Sequence, residues 1–291
     1  MNKTSFLVNR RHAVGVLAVG LLHASVGAVS AKGPSGIVAA SHPALAALEK
    51  KVGGRLGVAF LNTSNGAVVG HRLEERFGMC STFKLPLAAT ILRKVDQGDL
   101  SLDQWVAYSA SDMVAHAPVT QANLAKSGMS VGALAEAAQT TSDNPAANLL
   151  LGLVGGPAGF TAMLREAGDS VTRLDRMEPH MNAVARRDPR DTTTPGAMAA
   201  TLVRLLTSDW LTPNSRALLI QWMVATETGT KRLRAGFPAQ WRAGDKTGTG
   251  MAPGMMDKYN DIAIAWPPGR APLIVTAFYE TPKYHGGKMR D

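Results

Sequence analysis

Three things are scarce in this chain: cysteine, aromatic side chains and clustered charge. Cys80 is the single cysteine among 291 residues, so no internal disulfide can form and the fold has to be held by its core. Aromatics make up 5% of the residues, and the 31 lysines and arginines are spread along the sequence. A nucleic-acid groove needs cations gathered on one face with aromatics between them, so none is expected. There are no internal repeats and no low-complexity tracts. Neither a metal nor a cofactor is expected.

What is present suits an exported globular protein. Hydrophobic residues make up 45% and charged residues 18%, enough for a sizeable core in one or two domains. Lys3, Arg10 and Arg11 lead into the almost wholly apolar Ala13–Val29, with small residues around Ala28–Ala31. Residues 1–31 therefore read as a cleavable export signal, which implies a periplasmic protein. His23 interrupts the apolar span and stop-transfer flanks are lacking, so no stable membrane anchor is expected. Arg10-Arg11 leaves both the twin-arginine and the general export route open. The formal net charge is +9; without the signal, 28 basic residues face 22 acidic ones. A mildly basic protein of this kind attracts small anionic molecules.

Leu85, Ala88, Ala89, Leu92 and Val95 recur at helical spacing, which predicts an amphipathic helix over residues 81–96. Further helices are predicted at Pro43–Val52, Val131–Gln139, Pro145–Val154 and Pro157–Ala167. Thr194-Pro195 and Thr212-Pro213 start two more, each a cap followed by a first-turn proline. Leu56–Leu61 and Ala67–His71 flank Asn65-Gly66, a strong hairpin signal. Strands return at Trp241–Thr249, Asp261–Trp266 and Leu273–Tyr279. Residues 173–191 are polar and unpatterned, a long loop of the kind that carries function. Strands at both ends and helices between them give an α/β fold of the α+β kind. Residues 32–73 and 227–291 would form one antiparallel sheet domain, and residues 74–226 an inserted all-helical domain. The active site would lie in the crevice between the two.

Ser81 and Lys84 stand three positions apart at the start of the predicted helix, so they share a face. The Lys84 amine can then reach the Ser81 hydroxyl, and a serine becomes a useful nucleophile only when a neighbouring base takes its proton. The helix N-terminus also favours a developing oxyanion. Alone, this pair reads equally as a helix cap followed by a solvated lysine. Ser142-Asp143-Asn144, between two helical patterns, reads alone as another cap. Lys246-Thr247-Gly248-Thr249-Gly250 reads alone as an edge strand with hairpin glycines.

Taken in order, the three resemble the class A β-lactamases. Ser-x-x-Lys, then Ser-Asp-Asn, then Lys-Thr-Gly is a signature shared by that family and the penicillin-binding proteins. Glu178-Pro179-His180-Met181-Asn182 matches the Glu-Pro-x-x-Asn element that separates the first from the second. The match runs from about residue 42 to residue 280. It implies a β-lactamase/DD-peptidase-like fold and hydrolysis of a small β-lactam substrate by a monomer that confers β-lactam resistance. Ser81 would be acylated, with the acylation base either Lys84 or Glu178 acting through a water. The backbone N–H groups of Ser81 and Thr249 would form the oxyanion hole. Ser142 would relay a proton to the ring nitrogen, with Lys84 and Lys246 as neighbours. Asn144 would hold the substrate's side-chain amide, and Lys246, Thr247, Thr249 and Arg232 its carboxylate. Asn182 would help Glu178 hold the hydrolytic water, His116 would supply a wall, and Arg176 and Asp191 would close the loop by a salt bridge.

The resemblance also exposes departures. The family ends in a helix packed on the sheet, whereas this sequence stops at Asp291, shortly after Tyr279. That reads either as a partial sequence or as a sheet lacking the cover. Lost apolar burial at about 25 cal/mol per Å² would leave the second case marginally stable. The Gly250–Tyr259 segment is longer than in many relatives. Some carbapenem-hydrolysing relatives pair a cysteine at the place of Cys80 with one near the place of Gly250, and that second cysteine is absent. Pro86 removes an N–H from the predicted helix, which predicts a local cost. A cell-wall peptidase and a penicillin-sensing domain are the competing functions; Glu178, Asn182 and the cleavable signal argue against them.

Overall fold

The computed structural model describes residues 42–281. The predicted export signal and the end of the chain lie outside the described residues. Five antiparallel strands form the main sheet in the order β2-β1-β9-β8-β7. They are β1 (Arg55–Asn62), β2 (Val68–His71), β7 (Arg242–Gly250), β8 (Lys258–Trp266) and β9 (Leu273–Glu280). β1 and β9 are therefore neighbours in the sheet, with Val58 opposite Ala277.

Alternation along these strands explains why both faces are apolar. Ala263, Ala265, Val275, Ala277, Leu56 and Val58 join Leu45, Leu233 and Phe237 in one cluster. Ile262, Ile264, Ile274, Phe278, Ala59 and Leu61 face the other way and join the large helical cluster. Successive side chains point to opposite faces, so a strand buried on both sides reads as an unbroken apolar run. The first face is covered by α1 (Pro43–Val52), whose Leu45 is 1% exposed. Burying one such leucine is worth roughly 1.5–3 kcal/mol.

The other face carries α2 (Lys84–Asp96), α3 (Val131–Thr140), α4 (Asn144–Leu153), α5 (Gly156–Glu166), α6 (Pro195–Thr207) and α7 (Pro213–Val224). Every residue of α2 from Lys84 to Leu92 is buried, which makes it the central helix. The sequence predicts an α-helix from residue 81, but Cys80–Phe83 forms a 3₁₀ turn and the α-helix starts at Lys84. Pro86 thereby falls in the first turn, where a backbone N–H has no partner within the helix. The predicted cost of Pro86 is removed by that shift.

β8 starts at Lys258, three residues before the predicted Asp261, so the β7–β8 connection is only residues 251–257. Polar Asn260, just before the predicted strand, does not look like strand. Its side chain bonds to another segment instead, Nδ2 donating to the carbonyls of Gly78 and Met79, while the neighbouring Asp261 accepts from Leu233 N–H. Two further strand pairs are too short for the pattern to reveal. β3 (Phe77–Gly78) pairs with β6 (Thr192–Thr193), and β4 (Trp105–Ala107) with β5 (Gly128–Ser130). The first pair joins the segment leading to Ser81 to the end of the 173–191 loop. Met79 N–H adds a bond to the Asp191 carbonyl at 3.0 Å.

Candidate active site

Met79-Cys80-Ser81 turns out of β3 into the 3₁₀ turn, with Cys80 at φ +47°. Ser142 (φ +64°) and His116 (φ +65°) are also left-handed. Non-glycine residues pay for that conformation, and such strain gathers at functional sites. Ser81 Oγ accepts from Lys84 Nζ and donates to Glu178 Oε1, both at 3.1 Å. Lys84 Nζ also donates to the Ser142 carbonyl at 2.8 Å and to Asn144 Oδ1, and lies 3.1 Å from Glu178 Oε1. Ser142 Oγ is 3.4 Å away. Five oxygens thus compete for the three protons of one ammonium, an arrangement suited to exchange of hydrogen bonds.

Glu178 is 2% exposed and is held from several directions. Oε2 accepts from Asn182 Nδ2 at 2.6 Å. Asn148 brackets its backbone, accepting from Glu178 N–H and donating to Glu178 O, both at 3.0 Å. The Glu178-Pro179 peptide is cis. The loop is closed below by Arg176 Nε on Asp191 Oδ2 at 2.6 Å, while Asp191 Oδ1 accepts from the amides of Asp175 and Arg176. Asn182 Oδ1 is buried without a hydrogen-bond partner among the described residues.

Asp143 caps α4 at Ala146 N–H and takes the amides of Val119 and Thr120, each at 2.9 Å. It thereby fixes the His116 segment against Ser142 and Asn144. His116 itself is exposed and borders the site. Its Nε2 is 2.9 Å from the Thr141 carbonyl, and its own carbonyl accepts from Asn144 N–H. Asn144 Nδ2 donates to Ala115 O at 2.7 Å.

β7 supplies the opposite wall. Lys246 Nζ, fully buried, donates to Ser142 Oγ at 3.0 Å and to the Thr247 carbonyl at 2.8 Å. A Cβ on Gly248 would sit 2.8 Å from Met79 O and 3.1 Å from Ser81 N. Only glycine lets the strand approach the Ser81 turn so closely, and this brings Thr249 beside it. Arg232 donates to Thr249 Oγ1 at 2.5 Å and to the carbonyls of Gly248 and Asn260.

Behind this wall Asp245 and Asp261 are both buried, with Arg234 Nε 2.8 Å from Asp245 Oδ1. Burial pushes Asp245 up to about 6 and Asp261 well above its usual range. Burial also lowers Lys84, against the pull of Glu178. Lys246 lies well below the ordinary lysine value, through burial and then through repulsion from Lys84. Burial pushes Glu178 up, but Lys84 and the hydrogen bonds from Asn182 and Ser81 outweigh it, and the net shift is downward. A buried carboxylate beside an ammonium thus stays ionised.

The structure brings Ser81, Lys84, Ser142, Asn144, Glu178, Asn182 and Lys246 into one connected cluster, with Arg232, Thr247 and Thr249 along one side. Sequence reasoning missed two contributors. Asn148 stands one helical turn after Asn144, so a shared face could have pointed to it. Thr228, whose hydroxyl lies 2.6 Å from that of Thr247, carries no signal of its own. Among the described residues, no three His, Cys, Asp or Glu side chains are grouped to hold a metal.

This fold is that of the class A β-lactamases. The model of the beta-lactamase enzyme family matches residues 41–290, and the chain belongs to that family, in its class A serine branch, as a hydrolase. It is 47% identical over 265 residues to Beta-lactamase L2 of Stenotrophomonas maltophilia, covering 91% of this chain and 86% of the relative. Beta-lactamase CTX-M-8 of Citrobacter amalonaticus is 42% identical over 247 residues, 85% of this chain and 83% of the relative. Among solved structures, an ancestral (GNCA) class A β-lactamase superposes with a TM-score of 0.80 at 56% identity, covering 83% of this chain and 91% of that one.

Proposed function

We propose that this protein hydrolyses the β-lactam amide of penicillins and cephalosporins through an acyl-enzyme on Ser81. The observation that carries the reading is the position of Ser81 Oγ, 3.1 Å from both Lys84 Nζ and Glu178 Oε1. The hydroxyl has the Glu178 carboxylate as a proton acceptor on one side and, when Lys84 is in its neutral form, an amine on the other. The Ser81 proton leaves to Lys84, or to Glu178 through a water, as Oγ bonds to the lactam carbonyl carbon. The carbonyl oxygen, now negative, faces the N–H groups of Ser81 and Thr249. When the C–N bond breaks, the ring nitrogen takes the Ser142 proton, which Lys84 and Lys246 can replenish. The substrate carboxylate rests against Lys246, Thr247, Thr249 and Arg232, with Asn144 on its side-chain amide and His116 as a wall.

Release is the second half. Glu178 takes a proton from a water that Asn182 helps to hold, the hydroxide attacks the ester carbon, and Ser81 leaves as that proton passes from Glu178 by way of Lys84 to its oxygen, restoring both groups. The unpartnered Asn182 Oδ1 supports this placement. The enzyme would act in the periplasm as a monomer without a stable membrane anchor, supported by the pattern of residues 1–31. No single helix among the described residues is long and apolar enough to cross a membrane.

The test is a benzylpenicillin pulse followed by intact mass. The parent should show a transient adduct and full turnover, and Glu178→Ala a persistent adduct on Ser81 with turnover about 10²–10⁴-fold slower. Parent-like turnover by that variant, or a lasting adduct on the parent, would remove the role given to Glu178.

A further inference from the structure

Behind the 173–191 loop, away from Ser81, lies a cavity of about 230 Å³. It is walled by Arg55, Arg76, Gly78, Val184, Arg186 and Arg187, with Glu75, Asp188 and Glu280 at its margins. The carboxylates are already engaged. Glu280 and Glu75 bind Arg55 at 2.9 and 3.2 Å, Glu75 also binds Arg72, and Asp188 binds Arg190 at 2.8 Å. The guanidiniums are not all used. Arg76 spends only Nη1, on the Val171 carbonyl and the Thr192 hydroxyl. Arg186 and Arg187 are exposed and have no hydrogen-bond or ion-pair partner among the described residues. The pocket therefore presents three planar cations with open donors and no free acid to answer them.

We propose that this cavity binds a phosphate group. Guanidinium forks match the spacing of phosphate oxygens, and several of them around one cavity favour a multiply charged tetrahedral anion over a chloride or a single carboxylate. The bound group comes either from free inorganic phosphate or from the headgroup of an anionic phospholipid, since the two outer arginines open to the surface. The pocket joins two parts of the catalytic machinery. Gly78 belongs to β3, which leads into Ser81, and Val184–Asp188 belong to the loop that carries Glu178. Occupancy ties one to the other from behind.

The proposal does not depend on the mechanism above, because binding is read without a β-lactam. Inorganic phosphate at matched ionic strength should raise the unfolding midpoint of the full chain by about 2–4 °C over chloride. It should also shift the amide resonances of Gly78 and Val184. Arg186→Gln with Arg187→Gln should abolish both effects. Neither residue touches the catalytic cluster, and the pair should keep the parent's midpoint in chloride. In a second arm, the parent should sediment with phosphatidylglycerol vesicles and not with phosphatidylcholine if the headgroup is the source. The double variant should lose that binding, and inorganic phosphate should compete for it. Phosphate effects that persist in the double variant come from elsewhere, at the Arg232 and Lys246 wall or through the general stabilisation that excluded phosphate gives a fold, and overturn the proposal. So does the absence of both the phosphate and the vesicle response in the parent.

Discussion

The helical wall and the strand wall of the crevice each bury one lysine completely, but in opposite company. Lys84 has the Glu178 carboxylate 3.1 Å away. Lys246 has a hydroxyl and a carbonyl as hydrogen-bond partners, and Lys84 and Arg232 as neighbouring positive charges. The nearest acids on that side stand behind the strand: Asp245 has Arg234 at 2.8 Å, and burial pushes Asp261 well above the usual carboxylate range. An ammonium paired with a carboxylate can give up and recover a proton with little change in local charge. An ammonium among cations is held far below its ordinary value until an anion arrives to relieve it. The helical wall is therefore built to move protons, and the strand wall to receive negative charge.

The largest effect should come from breaking the helical wall. Lys84→Ala removes a proton acceptor and leaves Glu178 buried without its cation. Burst kinetics should show acylation slowed by about 10³-fold, within the range for losing a general base. Lys246→Ala should cost less, about 10–100-fold in kcat/KM, the worth of one charge-assisted hydrogen bond, with most of the loss in KM. If the two variants lost acylation rate and binding in the same proportion, the division of labour between the walls would be wrong.

A milder probe leaves the protein intact. Lys246 is lowered by burial and by positive neighbours, so a carboxylate that binds there favours the protonated form and draws a proton with it. Binding of anionic substrates should weaken as pH rises, with KM climbing several-fold at a pH well below the ordinary lysine range. An analogue whose carboxylate is esterified should show a flat profile. Equal slopes for both would place the titration elsewhere than on the strand wall.

How far these walls were legible in the sequence follows from how each is built. The Ser81–Lys84 pair lies within one helical turn, so spacing alone placed the two together. The Ser142 and Lys246 motifs needed the resemblance, because their union with Ser81 depends on packing between segments far apart in sequence. The β1–β9 pairing could be reasoned from strands at both ends of the chain. The early start of β8 could not, since Asn260 holds strand geometry through bonds to Gly78 and Met79 rather than through apolar alternation. Thr228 and the Asp245–Asp261 contact were illegible for the same reason: the physics resides in the partner, and the partner is distant.

The smallest effect tests whether a carboxylate held by cations behaves the same way outside the crevice. Glu49, on α1, accepts from Arg72 through both oxygens at 2.7 Å and from Leu56 N–H at 2.8 Å, with His71 at 3.3 Å. The Arg72 hydrogen bonds, aided by the Leu56 amide and opposed by burial, hold its carboxyl down at about 2. A depressed carboxylate stabilises the fold above its unfolded value of about 4.5 and loses that contribution as pH falls through about 2. Integrated over that shift, the contribution has an upper bound of about 3 kcal/mol, reduced by the partial exposure of the pair. Glu49→Gln should therefore leave kcat/KM unchanged and lower stability to denaturant at pH 7. The gap between variant and parent should narrow steadily between about pH 4.5 and pH 2. A gap that stayed constant with pH would mean Glu49 acts through shape and hydrogen bonding alone. A loss of activity would mean that this edge of the sheet is coupled to the crevice after all.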